Sequence, residues 1–426
     1  MAVIIVFVVT ILIGLPVAFV LGLLGTGTLI SLGDPSLLTA IPTKMFSQLN
    51  LISLTCIPFF ILAGELMNGG GVTKRLLNLM RELVGWFKGG LAYACVIIAA
   101  ILSAILGNPN SVCSMLCGIV VPELRKDGYP EEFTGALVAS SSILGPIIPP
   151  SLQFVMYCMV TEVSIKYMFI AGVVPGVLLA IFFCAVILAS VKRLGLRKSI
   201  ERFRASRFFK AFVDAIPALC VPLVIIVGVM GGFFTTTESG AVSCIAALIA
   251  GLIYRELDIR KIPAMFMRAS IVIGSLMLLV AFGGIIAYGL ALAGIPELVS
   301  TTILALTDNV NVVIICVCVL LAIAGCVMDA SAITLVFLPC FFPLMMQLGM
   351  DPVHFGIIFC VMTIIGFITP PVGTTLFVTA NVTGIPFVRI CKEIGPFAIG
   401  SMVLVIALAY MPDVVLWIPR MLGYTG

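Results

Sequence analysis

The residue types best placed to do chemistry in this 426-residue chain sit in short polar interruptions of otherwise apolar sequence. One reads Gly145-Pro146-Ile147-Ile148-Pro149-Pro150-Ser151, and another Gly366-Phe367-Ile368-Thr369-Pro370-Pro371-Val372-Gly373. A double proline lacks two backbone donors and clashes with the preceding turn, so a helix must break there and leave carbonyls without intrahelical partners. In hydrocarbon those carbonyls need partners. A cation held among Gly, Ser and Thr oxygens supplies one, and so does a kink satisfied by neighbouring helices and water. Two further interruptions, Gly107-Asn108-Pro109-Asn110-Ser111 and Asp329-Ala330-Ser331, divide apolar runs near 90–122 and 309–346. Each run is too long for one span of about 20 residues, and each reads as a re-entrant helical hairpin. At such a tip, helix ends present free N–H groups and a positive dipole end suited to a carboxylate. Asn108, Asn110 and Ser111 in one tip, and Asp329, Ser331 and Thr334 in the other, are placed to ligate Na⁺ or substrate, or to cap helices locally.

Three acids lie in or near apolar segments. Glu65 and Glu238 fall near segment ends, where interface exposure or a helix cap accounts for them, whereas Asp329 is the one expected to be functional. The single histidine, His354, follows Asp351-Pro352 at a segment edge and reads as an interfacial residue without a catalytic role. Trp86 and Trp417 read as interfacial anchors. The fourteen cysteines lie almost wholly in apolar runs, as small hydrophobes do, and no metal-binding cluster is expected among them. No nucleophile with a base and no phosphate-cradling glycine motif is found, so no enzyme is expected.

The elements that must position these residues follow from composition. With 62% of residues hydrophobic and 10% charged, the chain carries well under half the roughly 25% charge of an average soluble domain. A water-soluble globule is excluded. Nearly unbroken apolar runs such as Leu91 to Leu106 exclude the alternating pattern of a membrane barrel, and a net charge of +4 is too small to suggest nucleic acid. What remains is an all-α polytopic membrane protein. Its apolar segments fall near 2–32, 47–68, 90–122, 131–161, 166–191, 213–231, 236–254, 264–292, 309–346, 352–382 and 394–411.

Sliding the sequence against itself gives one ungapped offset, 221, that pairs the halves. It matches Pro122 with Pro343, Gly128 with Gly349, Gly135 with Gly356, Gly145 with Gly366, Pro149 with Pro370, Pro150 with Pro371 and Pro175 with Pro396. Composition alone predicts fewer than one such Gly or Pro identity over that stretch. The hairpin tips share the offset, Asn108 with Asp329 and Asn110 with Ser331. Charge orients the halves. Between Lys192 and Lys210 lie eight basic residues and one acid, a cytoplasmic signature. Lys74, Arg75, Arg81, Lys88, Arg125 and Lys126 flank the first hairpin, which should open from the cytoplasm. Asp308 and Asp351 flank the second, which should open from outside. Matched segments of opposite entry make an inverted-topology repeat. Residues 1–195 are expected to form the first repeat and 213–426 the second, joined by a basic amphipathic cytoplasmic helix over 196–212 that offers Phe203, Phe208 and Phe209 to the interface.

Five ordered motifs carry a family resemblance: Ile57-Pro58-Phe59-Phe60-Ile61-Leu62-Ala63-Gly64-Glu65-Leu66-Met67, Gly145 to Ser151, Ala171-Gly172-Val173-Val174-Pro175-Gly176, Phe234-Thr235-Thr236-Thr237-Glu238-Ser239-Gly240-Ala241-Val242, and Thr369-Pro370-Pro371-Val372-Gly373. Over essentially its whole length the chain resembles the large membrane (M) subunit of a tripartite ATP-independent periplasmic (TRAP) transporter. The resemblance implies Na⁺-coupled uptake of a small organic acid, such as a sialic acid, a C4-dicarboxylate or a sugar acid, across the bacterial inner membrane. It implies as partners a periplasmic substrate-binding protein and a small four-helix (Q-type) membrane subunit, expected as a separate chain. It also implies an elevator-type architecture with two re-entrant hairpins and two broken helices. By the same resemblance one Na⁺ site would use Ser103 and Asn108 with Gly145, Ile148 and Pro150, and its mate Gly325, Gly366, Thr369 and Val372. Asn110, Ser111, Ser151, Asp329, Ser331 and Thr374 would face the substrate. The first tip departs from the Ser-Gly-Ser-rich pattern of typical members. The competing expectations are a stand-alone divalent-anion/Na⁺ symporter and, from other classes, a channel or a membrane scaffold. Two symmetry-related broken helices argue against the scaffold.

Overall fold

The structure is a computed structural model that describes residue 10 and residues 15–195, 203–306 and 309–426. Among these residues there is no strand. Apolar runs fold as helices because hydrocarbon offers no partner to an open backbone. The first half comprises α1 (Val17–Ser31), α2 (Ala40–Leu49), α3 (Cys56–Gly69), α4 (Val72–Val84), α5 (Gly90–Leu106), α6 (Pro109–Lys126), α7 (Glu131–Ser142), α8 (Leu152–Thr161) and α9 (Ile165–Leu194). The second comprises α10 (Ala205–Met230), α11 (Thr236–Ile253), α12 (Ile262–Leu292), α13 (Ile295–Leu306), α14 (Val310–Val327), α15 (Ala330–Gln347), α16 (Pro352–Gly366), α17 (Thr374–Thr383), α18 (Phe387–Ala409) and the short α19 (Pro412–Val415) and α20 (Trp417–Met421). Among the described residues seven helices are long and apolar enough to cross a membrane: α9, α10, α11, α12, α14, α15 and α18.

The helix bounds repeat with the Gly and Pro identities. Shifted by 221 residues, α6 coincides with α15 at both ends, and α5, α7, α8 and α9 start within one residue of α14, α16, α17 and α18. Cis peptide bonds, Pro149-Pro150 and Pro370-Pro371, stand at the same offset. Proline opens α6 and α16 at the first helical position, where its missing N–H leaves nothing unpaired.

Each double-proline break is closed by a hydroxyl. At the first, Ser151 Oγ donates to the Pro146 carbonyl and accepts from Phe154 N–H at 3.3 Å. At the second, the Phe367 carbonyl accepts from Thr375 Oγ1 at 2.7 Å and from Thr375 N–H at 3.2 Å. Pro146 and Phe367 are repeat partners, so each half satisfies the same interrupted carbonyl with a hydroxyl, though from a different position: the repeat partner of Ser151 is Val372.

Polar contacts at the helix ends fix direction. At one end Arg125 pairs with Glu131 at 2.8 Å and donates to the Thr383 carbonyl at 2.9 Å, Arg389 approaches Glu132 at 3.8 Å, and Arg193 pairs with Glu393. At the other, Tyr157 donates to the Pro352 carbonyl at 2.7 Å, Tyr424 to Asp351 at 3.0 Å, and Tyr410 to the Asn311 carbonyl at 2.7 Å. Helix α18 carries Glu393 at the first end and Tyr410 just past its other end. The hairpin α5–α6 therefore opens at the basic end, and α14–α15 opens at the opposite one. The long α12 packs along α1, α2 and α3 and also against α15 of the second hairpin.

Three readings of the sequence change. Residues 196–202 of the expected connector helix lie outside the described residues, and Ala205–Lys210 form the first turns of α10 instead of a helix of their own, because no Gly or Pro interrupts the chain before Pro217. His354 is 2% exposed, with Nε2 3.0 Å from the Leu408 carbonyl; α18 covers it, so it is buried between two helix ends where the sequence suggests an exposed residue. Helices α2, α4 and α13 go unlisted among the apolar segments, since Lys44 and Gln48, the Lys74-Arg75-Arg81 series and Pro296-Glu297 dilute their hydropathy. Glu65 pairs with Arg268 at 2.9 Å and Glu238 completes a capping box with Thr235, both at segment ends as expected.

Replacing Thr375 by Val keeps the shape and removes the hydroxyl from the Phe367 carbonyl. Thermal unfolding in detergent should show a loss of about 1–2 kcal/mol. Thr301→Val, whose hydroxyl reaches an exposed carbonyl at 2.9 Å, should change little.

Candidate functional site

The two hairpin tips are built alike. Asn108 Oδ1 accepts the Asn110 N–H at 2.9 Å and caps α6, while Asp329 Oδ1 accepts the Ser331 N–H at 2.9 Å and caps α15. Gly107 makes the first turn possible with φ +55°, and a Cβ there would lie 2.7 Å from Leu152. Both capped ends open on one narrow cleft, of about 30 Å³ in this structure. Gly107, Asn108 and Pro109 form one wall and Asp329, Ala330 and Ser331 another, with Pro146, Leu152, Gln153 and Met156 from the first break and Ile364 and Phe367 from the second. Ile57 of α3 and Leu276 of α12 close it with apolar side chains.

The charges around the cleft come close to balancing. Two helix N-termini contribute roughly half a positive charge each, which the Asp329 carboxylate offsets. A bound carboxylate then leaves one negative charge uncompensated, and a cation beside it restores balance.

The cleft is held by a polar tie that the sequence reading missed. Gln153 is 4% exposed, and its Nε2 donates to Thr334 Oγ1 at 2.7 Å and to the Ala330 carbonyl at 3.3 Å. Helix α8, which follows the first break, is thereby fixed to the tip helix of the second hairpin. The repeat partner of Thr334 is Cys113, whose Sγ lies 3.0 Å from Thr379 Oγ1 and donates to the Thr375 carbonyl at 3.5 Å. Helix α17, which follows the second break, is fixed to the tip helix of the first hairpin. Each half's hairpin is thus pinned to the other half's broken helix. A glutamine two residues beyond a Pro-Pro-Ser break, in a run with no other amide, was the available signal for Gln153.

Of the expected substrate residues, Asp329 and Ser331 line the cleft and Asn110, Ser111, Ser151 and Thr374 do not. Ser111 is exposed, and Ser151 is fully buried with its hydroxyl committed to the break. Asn110 Oδ1 and Thr374 Oγ1 are buried and find no hydrogen-bond partner among the described residues. Of the expected Na⁺ ligands, Asn108 lines the same cleft, and Gly145, Ile148 and Pro150 lie together at the first break. Gly325 and Gly366 touch through their backbones: a Cβ on Gly366 would stand 2.5 Å from Gly325 Cα. Gly373 N–H donates to the Cys326 carbonyl at 3.1 Å, so the second break, with Thr369 and Val372, abuts the end of α14. Thr369 Oγ1 donates its proton to the Ile365 carbonyl at 2.9 Å and keeps its lone pairs. The Ser103 side chain lies outside the described residues. Among the described residues no group of three His, Cys, Asp or Glu side chains could hold a metal ion.

The family model described as "Tripartite ATP-independent periplasmic transporter, DctM component" matches residues 4–414. The C4-dicarboxylate TRAP transporter large permease protein DctM of Pseudomonas aeruginosa is 34% identical over 406 residues, covering 95% of this chain and 94% of that one. The 2,3-diketo-L-gulonate TRAP transporter large permease protein YiaN of Escherichia coli is 33% identical over 405 residues, covering 95% of each. In fold alone the chain is similar to the YdaH transporter of Alcanivorax borkumensis, with a TM-score of 0.66 at 14% identity over 91% of this chain and 90% of that one. With a capped pair of hairpin tips on one cleft and a family match over nearly its full length, the chain belongs to the tripartite ATP-independent periplasmic transporters, as their large permease component, a multi-pass protein of the inner membrane.

Proposed function

We propose that this permease imports a small organic carboxylate coupled to Na⁺, receiving it from a periplasmic binding protein and working with a small four-helix membrane subunit. The observation that carries the reading is the cleft where two equivalent helix N-termini meet beside Asp329. Positive dipole ends suit the carboxylate, and the carboxylate of Asp329 makes a companion cation necessary. The chemistry of the broken helices supports Na⁺ as that cation, since unwound carbonyls and hydroxyls such as Thr369 Oγ1 are the oxygens that coordinate it in such folds. Both relatives named above are permeases for carboxylates. Membership in a tripartite family leaves the stand-alone symporter without support.

An elevator motion accounts for the distribution of polar contacts. Hairpins and broken helices are tied to one another by Gln153, Thr334, Cys113 and Thr379, whereas the cleft meets α3 and α12 through Ile57 and Leu276. A body bound internally by hydrogen bonds, facing an apolar wall, can slide without leaving polar groups unpaired in hydrocarbon.

Uptake of labelled carboxylates into proteoliposomes holding this chain and its small subunit, under an inward Na⁺ gradient, tests the reading. Uptake should require both Na⁺ and the binding protein, and uptake indifferent to either would refute it. Asp329→Asn preserves the cap and removes the charge, so the fold should survive while the apparent Na⁺ affinity falls at least tenfold, about 1.4 kcal/mol. Thr369→Ala should weaken Na⁺ dependence at normal expression. Wild-type Na⁺ titrations in both variants would remove these residues from the site.

A further inference from the structure

Away from the cleft, α9 carries an exposed stripe along one side: Val177, Ile181, Ala185 and Leu188, ending at Lys192. Three of these are large hydrophobics, with Val177 47%, Ile181 59% and Leu188 65% exposed. At the basic end the stripe widens into a groove of about 710 Å³, with Ala185, Leu188 and Ala189 as its floor and Lys88 and Lys192 on its rim. Lys88 comes from the turn between α4 and α5, so two separate parts of the chain bring their ammonium groups to one opening. No acid lines the groove, and neither lysine forms an ion pair with a described residue. Their neighbour Arg193, by contrast, is neutralised by Glu393.

We infer that this groove binds an anionic phospholipid of the cytoplasmic leaflet, its phosphate between Lys88 and Lys192 and one acyl chain along the α9 stripe. Charge complementarity selects the head group, since two unpaired ammonium groups at the end of a membrane helix are the pattern that recruits anionic lipid. The apolar floor selects a lipid over a free phosphate, which would gain nothing from Leu188 or Ile181. Length agrees as well. At about 1.5 Å of rise per residue, Ile181 lies about 16 Å below Lys192, close to half of the roughly 30 Å hydrocarbon core. The small side chains of Ala185 and Ala189 leave the depth that a chain needs against the helix. Trp86 stands in the same turn as Lys88, its ring tilted against Phe87 at 3.9 Å and Phe203 at 6.2 Å, where aromatic residues mark the head-group level.

Trp86 also supplies the test, because the chain holds only two tryptophans. In a Trp417→Phe background, the full permease in phosphatidylcholine bilayers is titrated with brominated phosphatidylglycerol or brominated phosphatidylcholine while Trp86 fluorescence is read. Quenching by phosphatidylglycerol should half-saturate at a mole fraction at least fivefold lower than by phosphatidylcholine. Lys88→Gln and Lys192→Gln should each reduce that preference about fivefold, the loss expected for one lysine near an anionic surface, and the double variant should abolish it. Inorganic phosphate should not displace the lipid. Equal quenching by the two lipids, a preference that survives in the double variant, or displacement by free phosphate would overturn the inference. Loss of lipid quenching when the small membrane subunit is present would do so too, by giving the groove to a protein. Both lysines are exposed, so the variants should fold, and unchanged thermal unfolding in detergent checks this.

Discussion

A broken helix in hydrocarbon must find partners for its interrupted backbone, and the rest of this structure depends on how that demand is met. Two hydroxyls meet it, Ser151 on the Pro146 carbonyl and Thr375 on the Phe367 carbonyl. With those two carbonyls satisfied locally, the helices after the breaks, α8 and α17, start where they can reach across the molecule. Without the caps a double proline at membrane depth would place unpaired carbonyls against lipid or force water into the core. The constraint is therefore both a limit on the fold and the source of its site.

The reach across is reciprocal. Gln153 of α8 holds the tip helix of the second hairpin, and Thr379 of α17 meets Cys113 on the tip helix of the first. Two hairpins that open at opposite ends of the molecule are thereby joined at their centre by side chains, and the capped N-termini of α6 and α15 are held on one cleft. The bonds also set the boundary of what can move together. The hairpins and broken helices are joined by these bonds, whereas Ile57 and Leu276 meet the cleft with apolar side chains.

Much of this was legible in the sequence because it is local. Proline and glycine act on their own turn of chain, so the breaks at Pro149-Pro150 and Pro370-Pro371, the tips at Asn108 and Asp329 and the offset relating them could be read directly. The ties between halves were not legible. Gln153 and Thr334 are 181 residues apart, and Cys113 and Thr379 are 266 apart, and no local pattern pairs side chains at that distance. Amphipathic helices such as α4 are hidden for another reason, since their charges read as markers of topology. His354 was placed at an interface from its neighbours Asp351 and Pro352, while its burial is decided by α18, more than thirty residues further on. Ser151 shows the limit of reading chemistry from residue type. A serine after a double proline fits a ligand site and a backbone cap equally well, and only the contact with Pro146 tells them apart.

The proposed function requires the carboxylate to sit between the two capped helix ends with a cation beside Asp329. A cryo-electron microscopy map of the permease with its small subunit, in saturating Na⁺ and cognate carboxylate, measures this directly. Ligand density is expected between the N-termini of α6 and α15, in contact with backbone N–H groups of both tips. A carboxylate bound elsewhere, with the cleft between Asn108 and Asp329 filled only by water, would contradict it.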